Sequence, residues 1–140
     1  MATTTYCGPI DVLVVSVSDP EHLRAGVGAL LDRVTAGLIE ILDVELIALG
    51  DDGGARRMPM DEVPAGGALA AFAGAETDIL APEDLDAIAD ALQPGDSALA
   101  VVYEERSMAA VVEEWTGAGA RLLWSNAVEI DEIARQIEED

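Results

Sequence analysis

Lysine is absent from the chain, and seven arginines and one histidine stand against 28 acidic residues, which makes the formal net charge −21. A field of that sign repels nucleic-acid phosphates and anionic lipid headgroups, because proteins bind both through clustered Lys or Arg. We therefore expect neither a nucleic-acid partner nor a membrane partner. The acids are spread along the chain, which favours a solvated, repulsive surface over an acidic face dedicated to a cationic partner.

Cysteine pairs, aromatic residues and long apolar runs are also scarce. Cys7 is the single cysteine, so no internal disulfide can form, which agrees with a reducing compartment. Aromatic residues make up 4% of the chain, and no apolar run approaches the roughly 18 residues that span a bilayer. Residues 1–5 lack the basic and apolar regions of a signal peptide. These absences predict a cytoplasmic protein whose core consists of Ala, Val, Leu and Ile.

Apolar periodicity divides the chain into predicted strands and helices. Strand patterns predict core strands at residues 10–17, 39–49, 97–103 and 120–126. Steps of three and four between apolar residues predict helices at residues 18–36, 82–92, 106–115 and 130–137. A Gly-rich turn at 50–54 leads to an edge strand at 55–60, and residues 51–81 form a candidate mobile insertion.

The predicted order is a βαβ–βαβ core with an inserted edge strand and helix segment and a C-terminal helix. This order is typical of an α+β protein with a ferredoxin-like two-layer sandwich, in which helices cover one face of a four-stranded antiparallel sheet. A small doubly wound parallel sheet is the alternative. No repeat or linker divides the chain, so residues 1–140 are predicted to form one domain with its core at 8–137.

Residues 39–49 alternate with period two, and this alternation predicts an exposed apolar sheet face. Leu42, Val44, Leu46 and Ala48 fall on one face, and Ile39, Ile41, Asp43, Glu45, Ile47 and Leu49 fall on the other. The isoleucines of the second face would give it a larger exposed apolar area than is usual for a surface in contact with water. We therefore predict a homo-oligomer, dimer or larger, with interface residues Ile39, Ile41, Ile47 and Trp124.

Acidic residues within predicted strands are the candidates for chemistry. Asp43 and Glu45 share a sheet face, and with Glu104 of another strand they could form a carboxylate cluster for a divalent cation or a general base. His22, in the first turn of a helix, and Tyr103 complete the catalytic candidates. The simpler interpretation is that the acids are solvated or pair with arginines across strands, for example with Arg121.

Motifs for cofactors and metals are missing. The pair Gly26 and Gly28 lies inside a predicted helix and lacks the third glycine of a dinucleotide fingerprint. The turn at 50–54 lacks the Lys-Ser/Thr of a phosphate loop and the acidic spacing of a calcium loop. One histidine without a second ligand at zinc spacing is a poor metal site, and Cys7 has no basic neighbour to activate it. No cofactor and no bound metal are predicted.

Three stretches of the chain are shared with a known family. They are Gly8–Val15, Gly37–Asp43 and Glu83–Ala98, followed by the acidic pair Glu104–Glu105. Through them the chain resembles a family of short, acidic bacterial proteins classed as a domain of unknown function, over about residues 8–137. Family members often carry a Trp after the acidic pair, where this chain has Ser107–Met108. The resemblance implies an α/β fold in the cytoplasm and no assigned reaction.

These observations favour a non-enzymatic, oligomeric small α/β protein that binds a ligand or protein partner, in regulation or stress adaptation. One alternative is a dimeric ferredoxin-like enzyme that acts on a small molecule through strand carboxylates. A second alternative is a divalent-cation-binding protein that uses the acidic strand face.

Overall fold

A computed structural model describes residues 8–59 and 70–124 of the chain. Its strands are β1 (Ile10–Val17), β2 (Ile39–Leu49), β3 (Ala55–Met58) and β4 (Ser97–Glu105). Its α-helices are α1 (Arg24–Thr35), α2 (Pro82–Ala91) and α3 (Ala109–Gly117), and shorter 3₁₀ helices lie at Pro20–Leu23 and Ala70–Ala75. Within these described ranges, no helix has the length and apolar content needed to cross a membrane.

The four strands form one sheet in the order β1-β4-β2-β3, and every neighbouring pair is antiparallel. Since β1 and β2 both run opposite to β4, they run in the same direction, with β4 between them and α1 connecting them. The connection from β3 to β4, which includes α2, likewise spans β2. The predicted α+β class and antiparallel four-stranded sheet are therefore confirmed, and the parallel alternative is wrong.

The two longest helices cover opposite faces of the sheet. Neighbouring residues of a strand point to opposite faces, and Leu46 packs in a cluster with α1 whereas Ile47 packs in a cluster with α2. The first cluster contains Leu23, Val27, Val44, Leu46, Phe72, Leu99 and Val101. The second contains Ile47, Leu92, Ala98 and Ala100, with Leu85 and Ile88 packed against it. This arrangement differs from the predicted two-layer sandwich, in which the helices lie on one face.

A β-bulge in β2 changes which residues share a face. The register with β4 passes from Ile41–Tyr103 to Asp43–Val102, so Leu42 is the extra residue. A one-residue insertion reverses the inward and outward alternation beyond it. Ile41 therefore packs with Val44 on the α1 face, although strict alternation predicted opposite faces for them.

Local signals set the two ends of the helical segment Pro20–Thr35, which consists of the first 3₁₀ helix and α1 and falls within the predicted helix at 18–36. The Asp19 carboxylate accepts a hydrogen bond from the backbone N–H of Glu21 at 3.0 Å, and Pro20 follows as the first helical residue. After the helix, Gly37 adopts a φ of +75°, a left-handed conformation that side chains disfavour. These two signals position α1 across the sheet between β1 and β2.

The fourth strand is not the one predicted. The described part of predicted strand 120–126, residues 120–124, contains no strand, and the sheet is completed instead by β3 from the predicted insertion. The tight turn at 50–54 closes a short loop between β2 and β3 at a small cost in chain entropy, and within it the Gly50 N–H donates a 2.7 Å hydrogen bond to the Gly54 carbonyl. The predicted helix at 130–137 and Cys7 lie outside the described residues.

Candidate functional site

An open apolar cavity lies between α1 and the sheet, and we call it the α1 groove. Its volume is about 350 Å³. The side chains that line it include Leu13, Val15 and Val101 from the sheet, Val27 and Leu30 from α1, and Phe72. The groove exists because β1 is an edge strand whose side chains are only partly covered by α1, so Leu13 is 51% exposed and Val15 is 39% exposed.

A second cavity, of about 370 Å³, adjoins the α1 groove and is more polar. The two cavities share Leu13, Leu30 and Val101, so they lie side by side along α1. The polar side chains of the second cavity are Arg33, Tyr103, Glu105 and Ser107.

Opposite charges offset one another in the second cavity. Hydrogen bonds from Ser107 lower the pKa of Glu105, and the positive charge of Arg33 lowers it further. The Ser107 backbone N–H donates to the Glu105 carboxylate at 2.8 Å. The second cavity therefore offers hydrogen-bonding groups, while the charges of Arg33 and Glu105 partly cancel each other.

Gly26 leaves open space beside the groove. It lines the cavity from within α1, and a Cβ atom built on it would meet no atom within 4 Å in the described part of the chain. The same holds for Gly28, which lies outside the groove lining. Glycine within a helix costs about 1 kcal/mol relative to alanine.

The carboxylates of Asp43 and Glu45 are buried together on the α2 face of the sheet. Asp43 is 0% exposed and Glu45 is 2% exposed. Asp43 Oδ1 accepts the backbone N–H of Thr77 at 2.8 Å, and Oδ2 accepts that of Ile79 at 3.2 Å. The bulge strengthens the attachment, since the Thr77 hydroxyl donates to the carbonyl of Leu42 at 2.7 Å. The pair thus ties residues 77–79 to β2.

Arg57 on β3 is the cationic partner of Glu45. Its Nε forms an ion pair with Glu45 Oε1 and lies 3.3 Å from Asp78 Oδ1. Its Nη2 donates to the carbonyl of Leu80 at 2.8 Å. The predicted cross-strand pairing of acids with arginine is therefore observed with Arg57 rather than with Arg121.

The two carboxyl groups have pKa values that move in opposite directions. Burial raises the pKa of Glu45, and the hydrogen bond shared with Asp43 raises it further against the opposing effect of Arg57. Burial also acts to raise the pKa of Asp43, but hydrogen bonds from Glu45 and the amides of Thr77 and Ile79 outweigh it and lower that pKa. The pair therefore retains a proton more readily on Glu45 than on Asp43.

The remaining catalytic candidates lie elsewhere. Glu104 accepts a 2.6 Å hydrogen bond from Arg106, and it pairs in register with Glu40, not with the buried pair. His22 is exposed at the α1 groove, and Tyr103 lies on the α1 face in the second cavity. Among the described residues, no group of three or more His, Cys, Asp and Glu could hold a metal ion. The structure therefore brings together Asp43 and Glu45 but not the full set.

The predicted interface residues have different environments. Ile47 is 0% exposed and Ile39 is 9% exposed, so both belong to the protomer's own packing and are not available for an interface. Ile47 is covered because α2 occupies the face that was predicted to be free of helices. Ile41 is half-buried beside the α1 cluster. Trp124, in contrast, is 75% exposed.

Sequence reasoning missed the α1 groove and the backbone partners of Asp43. A cavity depends on how far α1 stands from β1, and no local pattern encodes that distance. The available signal was Gly26, because glycine lowers the stability of a helix and its presence there indicates a role outside the helix itself. The amides of Thr77 and Ile79 carry no side-chain signature at all.

Comparison with known proteins gives a family and no activity. The model of one family, described as a family of unknown function (DUF6325), matches residues 6–135. No curated protein and no solved structure matches the chain. Function must therefore be argued from the α1 groove and the buried carboxylates.

Proposed function

The chain belongs to the family of unknown function DUF6325, and we propose that it is a binding module whose α1 groove holds a small, largely apolar molecule. The observation that carries the proposal is the groove itself, an apolar cavity of about 350 Å³ that adjoins a more polar one of about 370 Å³. Ligand sites are typically mostly apolar clefts of roughly 300–1,000 Å³ with a few polar groups that fix orientation.

The lining indicates the chemistry of the ligand. An elongated apolar body would lie against Val27, Leu30 and Phe72, and a polar end would meet Tyr103 and Ser107. A net charge of −21 repels anions on approach, so the ligand is not an anion. This deepens the sequence-based expectation of a ligand- or partner-binding protein by giving the ligand a chemical class.

The buried carboxylates favour a binding module over an enzyme that works through Asp43 and Glu45. Both oxygens of Asp43 accept backbone N–H groups, and Glu45 pairs with Arg57. A general base needs an oxygen that can approach the proton it removes. These oxygens already hold the chain segment 77–80 in place, which is a structural task.

Two leucine substitutions in α1 test the proposal. Gly26→Leu would fill the groove with a side chain, whereas Gly28→Leu adds the same side chain to the same helix outside the groove lining. We expect the neutral, environment-sensitive dye Nile red to bind the native protein and the Gly28→Leu variant. Its affinity for the Gly26→Leu variant should fall about tenfold or more, a difference of about 1.4 kcal/mol.

Thermal unfolding serves as the control for the pair. Leucine exceeds glycine in helix propensity, so neither variant should lose stability through the helix itself. Equal dye binding by both variants, each with a native melting temperature, would show that the groove is not the binding site.

A further inference from the structure

Strand β1 has the composition of a central strand but lies at the edge of the sheet. Five of its large apolar residues are 39–58% exposed: Ile10, Val12, Leu13, Val14 and Val15. They lie on both faces of the strand, and Asp11 is its only charged residue. Strands that read as nearly continuous apolar runs are normally buried on both faces between neighbours.

Among residues 8–59 and 70–124, no strand pairs with the outer edge of β1, which therefore presents backbone groups to a further strand. The Glu105 backbone N–H donates to the carbonyl of Pro9 at 2.8 Å, so these two residues form a hydrogen-bonded pair of the β1–β4 ladder. Hydrogen-bonded and non-hydrogen-bonded pairs alternate in an antiparallel ladder, and the β1–β4 register runs without interruption. The N–H and C=O groups that point away from β4 therefore belong to Ile10, Val12, Val14 and Ser16.

The other edge strand of the sheet, β3, differs from β1 because it is protected against the addition of another strand. Strand β3 has only four residues, its middle is Arg56–Arg57, and Pro59 follows it. Short length, charge and proline are the devices by which native edges avoid pairing. Strand β1 is twice as long, with eight residues, and has neither proline nor bulge.

We propose that two copies of the chain pair antiparallel along β1 and join their sheets across a two-fold axis. A register centred on Leu13 sets Val12 opposite Val14 of the second copy and uses every outward-pointing N–H and C=O group. Opposed residues then lie on the same face, as antiparallel pairing requires. A two-fold contact also closes on itself, so it forms a dimer and not a fibre.

The symmetry of the strand favours a second copy as the occupant of this edge, because the outward-pointing residues Ile10, Val12, Val14 and Ser16 are placed evenly on either side of Leu13. Two chains of net charge −21 repel each other, so they can associate only through a surface that brings few charges together, and β1 is such a surface. In the Leu13-centred register, Asp11 lies opposite Val15 of the second copy, so no two acids face each other. The pairing goes beyond the proposed function, because it uses strand backbone groups and not the groove's ligand.

Two substitutions at one position test the pairing. Val12→Pro removes an outward N–H without removing a hydrogen bond to β4, and proline is tolerated on an edge of this kind. Val12→Thr is the matched control, since threonine keeps the N–H and the β-branched shape. In sedimentation equilibrium at physiological salt, we expect a dimer for the native chain and for Val12→Thr, and a folded monomer for Val12→Pro.

Amide hydrogen exchange on the native chain gives a measurement that does not depend on a variant that folds. In a β1-paired dimer, the outward amides of Ile10, Val12, Val14 and Ser16 exchange slowly, like amides within the β4 ladder. Fast exchange of these amides overturns the proposal. A native monomer overturns it as well, even with slow exchange, because the chain's own segments would then cover the edge. A dimer that persists in folded Val12→Pro overturns it by placing the interface elsewhere, for example near Trp115 of α3, which is 61% exposed.

Discussion

At the scale of single residues, the buried carboxylates of Asp43 and Glu45 hold neighbouring chain segments against β2. Ionised carboxylates are rarely buried without partners, because removing them from water costs far more than one hydrogen bond returns. Here the partners come from outside the strand: two backbone amides for Asp43 and the guanidinium of Arg57 for Glu45. Within the described residues, no buried side-chain nitrogen or oxygen lacks a hydrogen-bond partner.

Replacing Asp43 by asparagine should destabilise the protein. The asparagine side chain has one carbonyl oxygen, so its NH₂ group would face either the Thr77 or the Ile79 amide and leave it without an acceptor. An unsatisfied buried donor costs about 1–3 kcal/mol, and we expect chemical denaturation to show a loss of that size. Asp86→Asn, at an exposed position of α2, should change the free energy of unfolding little. An unchanged stability for Asp43→Asn would contradict the structural role.

The raised pKa of Glu45 predicts a dependence of stability on pH. Between the ordinary glutamate pKa and the raised one, the folded protein holds a proton that the unfolded chain has lost. The free energy of unfolding therefore falls as pH rises through this window. Glu45→Gln removes this titration, so its stability should decline less steeply there, while Glu113→Gln on exposed α3 should follow the native curve. Parallel curves for all three proteins would show that Glu45 titrates normally.

At the scale of elements, turn and cap residues were readable and the β2 faces were not. The predicted helix at 18–36 and turn at 50–54 each depend on a few neighbouring residues, and both are confirmed, with helical structure from Pro20 to Thr35. The faces of β2 depend on the bulge at Leu42, which forms through pairing with β4 and through Thr77, about 35 residues away. A period-two pattern assumes an unbroken strand, so it assigned Ile39 and Ile41 to the wrong face.

The sequence also did not predict which strand takes the fourth place in the sheet. Predicted strand 120–126 was given the fourth place because it is apolar, whereas β3, with two arginines, holds that place. The hairpin turn brings β3 beside β2 at a small cost in chain entropy, and the Glu45–Arg57 pair joins the two strands. Leu123 and Trp124 are left 68% and 75% exposed.

At the scale of the whole molecule, net charge and the apolar β1 edge oppose each other. Repulsion between two acidic copies weakens as ions screen it, with a screening length of about 10 Å at 0.1 M salt and about 3 Å at 1 M. Apolar contacts and backbone hydrogen bonds are not weakened in this way. We therefore expect the dimer dissociation constant to fall as sodium chloride is raised from low to high concentration. Sedimentation equilibrium across a salt series measures it, and a dissociation constant that rises with salt would point to an ionic interface instead.

The sequence by itself determined the α+β class, the positions of most helices and strands, and the scarcity of cationic sites. Each of these follows from composition or from contacts between near neighbours along the chain. Only the tertiary structure decided that α1 and α2 cover opposite faces, that Asp43 and Glu45 are buried beside residues 77–80, and that β1 is an edge strand of the sheet that the described residues form. These features depend on which distant segments meet, and it is there that the α1 groove and the proposed β1 pairing arise.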